Sequence, residues 1–510
     1  MKNPTPDVLL YNIMENYSDY MNEITKDELF EGLLGYGMFS EKIPPIFTSK
    51  PLYDFCIANE FDWRKDKAHF PISYESMRNI VIPRFFSIPY PTNYVNQCII
   101  LSENWDKLKN YFEEKTKTQS YKKSRIHIRK MKDKKELFEM NYKNETKDGL
   151  PKIDISIGSK YVVKADISNC FPSIYTHAIS WALEGKEVAK KYKEKKYKEE
   201  WYNKIDYYTR ALKDNETHGI LIGPHTSNLI SEIVLTAVDY ELQKYGFTRH
   251  IDDYACYVPS QQEAENFLIN LSDALKKYDL SLNHKKTEII KLPLPLEELW
   301  INYLNGFDLP EEINSHFLKR YLDTAIELAN RTENISVINY IVKVLSKKVF
   351  KQLAIDYYIK TIHHLLLIYP YLLPIIDKYI FEPLEIDVNT IQRIANDVYD
   401  DGKKFNRYES LSYAVYFAIK YNFELDNDLI TEVQKQEDCI FMVLSYLHDG
   451  KYRPTRIIDY YNIAKDIQQN DFLKDKYWLF IYEVLSQTDL KDDSLKALKK
   501  GKVSFIKHLP

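Results

Sequence analysis

Two adjacent carboxylates, Asp252 and Asp253, sit in the middle of the run Thr248-Arg-His-Ile-Asp-Asp-Tyr-Ala-Cys-Tyr-Val258, between two short stretches of β-forming residues. Two strands that meet at a polar tip read as a hairpin. A tip with two anions repels itself, and hairpin tips more commonly carry Asn-Gly or Asp-Gly, so the pair asks for a counter-charge such as a divalent cation. A solvated acidic turn would show the same two residues. A third carboxylate weighs against that alternative: Tyr161-Val-Val-Lys-Ala-Asp166 alternates and ends in an acid, and Ile167 to Ile174 then turns the chain toward a helix. Three carboxylates on two neighbouring strands can hold two Mg²⁺ ions, or Mn²⁺ in their place, roughly 3.5–4 Å apart, the arrangement that stabilises attacking and leaving oxygens in phosphoryl transfer. Asp166 and Asp252 are the first expected ligands, Asp253 the third, and the backbone carbonyl of Ile167 completes the set.

A phosphoryl substrate needs cations as well. From Lys115 to Lys135 there are ten lysines and arginines against one acid, Asp133. Within that stretch Arg125-Ile-His127-Ile-Arg129 alternates, so one strand face would present Arg125, His127 and Arg129 together to a triphosphate or a nucleic-acid backbone. A solvated basic loop is the alternative. The later run Glu187 to Lys198 interleaves glutamates with its lysines and reads as an exposed, locally paired segment.

Taken together, Asp166-x-x-x-x-Phe171, Gly219-Ile-Leu-Ile-Gly223-Pro-His-Thr-Ser227-Asn, Ile251-Asp252-Asp253 and Leu282-Asn-x-x-Lys286-Thr287 resemble four successive motifs of a reverse-transcriptase palm, in order and in spacing. The details Tyr175-Thr-His177, Trp181, Glu184-Gly-Lys186 and Glu216-Thr-His-Gly219 are most similar to abortive-infection (AbiK-like) bacterial reverse transcriptases. The resemblance covers roughly residues 75 to 290. It implies that Phe171 packs under the sugar of the incoming nucleotide and excludes a 2′-hydroxyl, that Gly223 allows the backbone close to the nucleotide, and that Lys286 reaches the triphosphate. Leu221 and Ile222 stand where templated relatives commonly have Pro-Gln, and His250 where many have Tyr, which puts templated synthesis in doubt.

These side chains need a scaffold, and the pattern supplies an α+β one. Ser227 to Tyr245 reads as a helix with Ile230, Ile233, Val234, Ala237, Val238 and Leu242 inward, and Ser227 as its cap; Gln261 to Tyr278 reads as another. The order strand, helix, helix, hairpin, helix, strand makes a palm. Upstream, residues 7 to 39 read as helical, Arg84 to Pro91 as a fingers strand, and Asn96 to Phe112 as a helix. From about residue 300 strand signals disappear and amphipathic helices recur, including Ile335 to Phe350, Ile355 to Tyr369, Ser410 to Tyr421, Cys439 to His448 and Tyr477 to Gln487. The expected organisation is a fingers and palm region over 1–300, followed by an all-α, HEAT-like helical-repeat domain over 301–510 in place of a thumb.

A chain of 510 residues, 45% apolar and 28% charged, suits a multidomain globular protein. Its five cysteines are scattered and contain no Cys-x-x-Cys pair, which supports neither a disulfide framework nor a zinc site and fits a reducing cytosol; the resemblance implies that the cytoplasm is bacterial. No signal pattern opens the sequence, and the most apolar run, Leu365 to Ile376, is interrupted by Pro370 and Pro374, so no membrane segment is expected. A net charge of −4 leaves nucleic-acid binding to local clusters.

Three readings compete. The leading one is a DNA polymerase that extends DNA from dNTPs without a template, in anti-phage abortive infection, as a homo-oligomer; role and assembly are implied by the resemblance alone. The second is a retron-like, RNA-templated reverse transcriptase. The third is a helical-repeat binding scaffold with an inert palm, against which the retained carboxylates argue. An RNA or DNA ligand is compatible with the first two. Synthesis that starts without nucleic acid needs a hydroxyl, and the resemblance implies a tyrosine of the protein itself, covalently joined to its DNA product. Among 42 tyrosines, Tyr11, Tyr17 and Tyr20 in the N-terminal segment are the first candidates.

Overall fold

The computed structural model describes residues 19–59, 67–78, 82–125, 127–130, 137–139, 151–193, 199–295 and 297–507. Two compact units divide the chain. The first comprises residues 1–38, 56–70 and 89–293; the second comprises 39–55, 71–88 and 294–510.

At the centre of the first unit is a four-stranded antiparallel sheet. Its strands are Tyr161–Asp166, Phe247–His250, Asp253–Val258 and Glu288–Lys291, in spatial order second, third, first, fourth. Period-2 alternation sends Val163, Phe247, Tyr254 and Cys256 into the core. Helix His225–Glu241 is buried along most of its length, with Leu229, Ile230, Ile233, Val234 and Val238 at or near zero exposure. Helix Gln261–Lys277 covers the sheet with Ala264, Phe267, Leu271 and Leu275. Each buried Leu, Ile or Phe contributes about 1.5–3 kcal/mol, so these two helices anchor the sheet.

Several boundaries differ from the pattern reading. The expected helix from Asn96 to Phe112 is two helices, Pro91–Glu103 and Trp105–Thr116, broken at Asn104. In the N-terminal stretch, Asp19–Asn22 and Lys26–Phe30 are separate helices; Thr25 and Glu28 form a reciprocal capping box at the second start. The palm helix starts at His225 with Pro224 as its N-cap and no side-chain cap bond, so Ser227 lies inside the first turn and does not cap it.

The second unit is mostly helical. Its main helices include Ser315–Thr332, Ser336–Leu345, Gln352–Ile368, Val388–Lys404, Tyr408–Tyr421, Cys439–Tyr452, Ile457–Gln469 and Trp478–Val484. Strand signals are not wholly lost after residue 300: Glu312–Ile313 and Val349–Phe350 pair in parallel, which ends the expected Ile335 to Phe350 helix early. Strand Arg84–Ile88 forms a hairpin with Ile72–Ser76, and this hairpin groups with the C-terminal helices, outside the unit that holds the palm. Ser76 Oγ and the Met77 amide both donate to the buried Glu409 carboxylate, at 2.9 and 2.5 Å. Residues 39–55 join the same unit: Thr48 N–H donates to the Phe505 carbonyl at 2.9 Å and Lys507 N–H to the Ile46 carbonyl at 2.8 Å. Among the described residues no single helix is long and apolar enough to cross a membrane; Gln352–Ile368 and Pro370–Phe381 pass that test only as a pair bent by 120°.

Candidate active site

Strand register brings the expected carboxylates together. Asp166 is the direct cross-strand partner of Asp253, and Asp252 occupies the turn just before it. Facing residues of an antiparallel pair lie about 4.5–5.5 Å apart at Cα, so two carboxylates here share one small space. The chain end after Asp166 is pinned on both sides. Ile167, itself buried, donates its N–H to the Asp252 carbonyl at 3.1 Å and bridges Leu282, while Ser168 N–H donates to the Ser281 carbonyl at 2.9 Å. Asn283 N–H returns to the Asp166 carbonyl at 2.8 Å.

The crowding of negative charge is visible in acidity. Burial, then the charges of Asp252 and Asp166, push the Asp253 carboxyl up to about 6. Asp166 itself is 5% exposed and meets two donors, Asn283 Nδ2 at 3.0 Å and Lys286 Nζ at 2.9 Å. The Asp166 hydrogen bond raises the affinity of Lys286 for its proton. Lys286 therefore lies within the carboxylate group, as its counter-ion, where the resemblance had it reaching a triphosphate.

The donor set suits Mg²⁺ or Mn²⁺: three carboxylates, all oxygen, and an anion excess that a single ammonium only partly offsets. Among the described residues no three His, Cys, Asp or Glu side chains form a preformed cation cage.

The residues expected on the nucleotide side are tied to the same end of the sheet. Phe171, half-buried in the short helix Cys170–Ser173, accepts at its carbonyl from Ile220 N–H at 2.9 Å, and Gly219 N–H donates to the Ile174 carbonyl at 3.0 Å. Gly219 has φ +83, and a Cβ there would lie 2.7 Å from the Pro172 carbonyl oxygen, so only glycine lets these segments meet. Gly223, at φ +127, turns the chain into the palm helix.

The basic stretch behaves differently from a free face. Arg125 and Arg129 are buried at 8% and 2% exposure. Ser124 bridges Arg249 in parallel, so this stretch runs along the edge strand of the palm. Lys123 Nζ donates to the carbonyls of Gln243 and Tyr245 at 3.1 and 2.9 Å, closing the end of the palm helix, and burial pushes its pKa down to about 8. Lys122 lies 3.8 Å from the ring centre of Tyr20 and the Arg129 guanidinium 5.1 Å from it, which puts two cations against that ring. Strand His127–Ile128 pairs with Phe138–Glu139. Tyr11, Tyr17 and Ile126 lie outside the described residues, and so does the whole run from Met131 to Lys135.

Pattern reading missed a buried charge cluster beneath the carboxylate turn. Arg249, fully buried, binds Glu232 and Asp239 of the palm helix, and the Tyr254 hydroxyl also donates to Asp239 at 3.0 Å. The signal was present: Glu232 and Asp239 are seven residues apart, two turns on one otherwise apolar face, and acids on such a face require a buried partner. Breaking such a cluster by removing one member costs about 3–5 kcal/mol.

With this geometry in hand, comparison with known proteins is informative. Residues 112–309 match the family described as Reverse transcriptase (RNA-dependent DNA polymerase). The matched residues form a reverse-transcriptase-like nucleotidyltransferase domain. No curated protein matches the chain. Among solved structures it is similar to the apo telomerase of Candida tropicalis truncated from its C-terminal domain, at 12% identity and TM-score 0.26 over 45% of this chain and 51% of that one. It is also similar to the telomerase of Candida albicans in complex with the TWJ fragment of telomeric RNA, at 12% identity and TM-score 0.28 over 69% and 65%. The alignments thus span about half to two-thirds of those telomerases, and at these scores they bear on no individual residue.

Proposed function

We propose that the protein is a DNA polymerase of the abortive-infection kind, which joins deoxynucleotides with two divalent ions, starts from one of its own tyrosines and needs no template. The observation that carries the reading is the register that sets Asp166 directly opposite Asp253, one residue from Asp252. In this reading Asp166 and Asp252 hold both ions, Asp253 and the Ile167 carbonyl support them, and Lys286 leaves Asp166 for the triphosphate. The ions, when bound, stabilise charge on the attacking and leaving oxygens. Phe171 lies under the sugar and selects dNTPs, while Gly223 leaves room for the nucleotide along the backbone.

Support for independence from a template comes from Ile222, an apolar side chain that offers no polar contact to a template or sugar. Support for protein priming comes from Tyr20, whose ring lies against Lys122 and Arg129. Arg129 then acts on substrate through Tyr20, and Arg125 through the backbone that holds the basic stretch against the palm: its N–H donates to the Arg249 carbonyl at 2.8 Å. The C-terminal unit, in which many helices pack on a neighbour in chain order, is read as a HEAT-like repeat in place of a thumb. Defence against phage, a bacterial cytoplasmic setting and homo-oligomerisation follow from the family resemblance.

The test is incubation of full-length protein with labelled dNTPs and Mg²⁺ and no nucleic acid. High-molecular-weight DNA attached to protein, absent with Asp252→Asn, is expected. Product whose sequence follows an added RNA would replace this reading with a templated reverse transcriptase.

A further inference from the structure

Arg249 is one strand position from His250 and three from Asp252, yet its side chain is committed to the palm helix. A guanidinium has five N–H hydrogens, and each has an acceptor here. Nε donates to Asp239, at 3.0 and 2.9 Å from its two oxygens, and Nη2 lies 2.8 Å from Asp239 Oδ2. Nη1 and Nη2 donate to the two oxygens of Glu232 at 3.1 and 3.0 Å. The remaining Nη1 hydrogen goes to the Ile251 carbonyl at 3.0 Å.

That last acceptor is the informative one. Ile251 has φ +54, a left-handed conformation that a β-branched residue keeps only when its surroundings impose it. Its carbonyl belongs to the peptide unit that leads into Asp252, so a donor fixed on that oxygen fixes the direction in which Asp252 leaves the turn. The next carbonyl, of Asp252, is already held by Ile167 N–H at 3.1 Å. The Arg249 backbone is locked as well, between the Lys123 carbonyl and the Arg125 N–H, each at 2.8 Å. One carboxylate already balances the charge of the guanidinium, and the cluster has two. The bond to the strained peptide is additional, and it ties the carboxylate turn to the helix that Gly219 and Gly223 lead into.

We propose that Arg249 is a positioning residue, which orients the Ile251–Asp252 peptide against helix His225–Glu241 and so aims the Asp252 carboxylate at its cation. The inference rests on the two-ion reading above. Lysine is the discriminating replacement. Its ammonium keeps the charge, but it is a single point that cannot span two carboxylates and a carbonyl.

The experiment measures Mn²⁺ binding to full-length protein without nucleotide, by electron paramagnetic resonance, alongside thermal melting and steady-state kinetics. Arg249→Lys is expected to weaken Mn²⁺ binding about 10–100-fold, the range for groups that orient metal ligands, and to lower kcat while leaving the KM for dNTPs nearly unchanged. Tyr254→Phe removes a bond from the same buried cluster without touching the turn, and should lower melting with Mn²⁺ affinity intact. Ile251→Gly, which adopts positive φ without strain, should restore part of the affinity lost in Arg249→Lys. If Arg249→Lys does not fold, Glu232→Gln takes its place: it loosens the guanidinium and should weaken Mn²⁺ binding severalfold in protein that melts lower but still cooperatively. Wild-type affinity in folded Arg249→Lys or Glu232→Gln overturns the inference alone. Wild-type protein with no Mn²⁺ site sensitive to Asp252→Asn overturns the two-ion reading, and the inference with it.

Discussion

Lys286 Nζ stands 2.9 Å from Asp166 Oδ2, so the first expected metal ligand is already paired with a cation of the chain itself. An ammonium and a divalent ion compete for the same oxygens. Lys286→Met should therefore tighten Mn²⁺ binding to the nucleotide-free protein, while incorporation falls by at least about tenfold for want of a proton donor at the triphosphate. Melting should move by less than about 1 kcal/mol, because the lysine side chain is largely exposed and its pair is screened. Unchanged Mn²⁺ affinity would show that Lys286 does not contest the site.

Asp253 gives a pH signature. Its carboxyl, pushed up to about 6 by burial and then by Asp252 and Asp166, binds its proton more tightly in the folded protein than in the unfolded chain. Between the unfolded value near 3.9 and 6 the folded state holds more protons, so this group's contribution to stability falls as pH rises through that window. Ionised Asp253 is thus a liability above pH 6 in metal-free protein. In EDTA, Asp253→Asn should melt slightly higher than wild type at pH 7.5, by about 2 °C given partial exposure, and the gain should vanish near pH 4. A constant difference across that range would exclude carboxylate repulsion as its source.

Phe171→Ala should let ATP compete with dATP, because the ring is the proposed obstacle to a 2′-hydroxyl. Competition assays that show the same preference as wild type would make Phe171 an ordinary packing residue.

Cutting the chain at residue 300 should yield an aggregating fragment. The cut strands residues 39–55 and 71–88 without the C-terminal helices they group with, and exposes Ile46, Ile72, Tyr74 and Ile88, each 5% exposed or less in the intact chain. It also removes Glu409, the acceptor for Ser76 and Met77, and Phe505, the acceptor for Thr48. A soluble, monodisperse fragment of residues 1–300 in gel filtration would contradict this.

The meeting of the three carboxylates was legible because strand periodicity and chemistry coincide there: alternation ends at Asp166, and the acid pair breaks the next hairpin. Its support was less legible. Arg249 follows the basic stretch in character, and its partners Asp239 and Glu232 lie 10 and 17 residues away, a separation that local patterns do not register. Lys123 counts toward the basic cluster from Lys115 to Lys135, yet it serves helix-end carbonyls. The place of the hairpin Ile72–Ile88 depends on a partner 333 residues downstream, which no window along the chain contains. Ser227 misled because a hydroxyl near a helix start suggests a cap, whereas Pro224 already supplied the entry.

Tyr20 is the described tyrosine on which the priming proposal turns. Its ring lies against Lys122 and Arg129, and both cations belong to the stretch that runs beside the palm edge strand. The phenol oxygen is the atom that would attack the phosphorus centre. Tyr20→Phe keeps the ring and its cation contacts and removes only the hydroxyl. It should therefore fold as wild type does and lose DNA attachment in the reaction without nucleic acid. An added oligonucleotide with a free 3′-hydroxyl should still be extended, since the carboxylate site is untouched. Mass spectrometry of digested product should place the nucleotide on the peptide containing Tyr20. A nucleotide on Tyr11 or Tyr17 would keep the N-terminal placement and reject Tyr20, and free DNA with no phosphotyrosyl linkage would reject protein priming altogether.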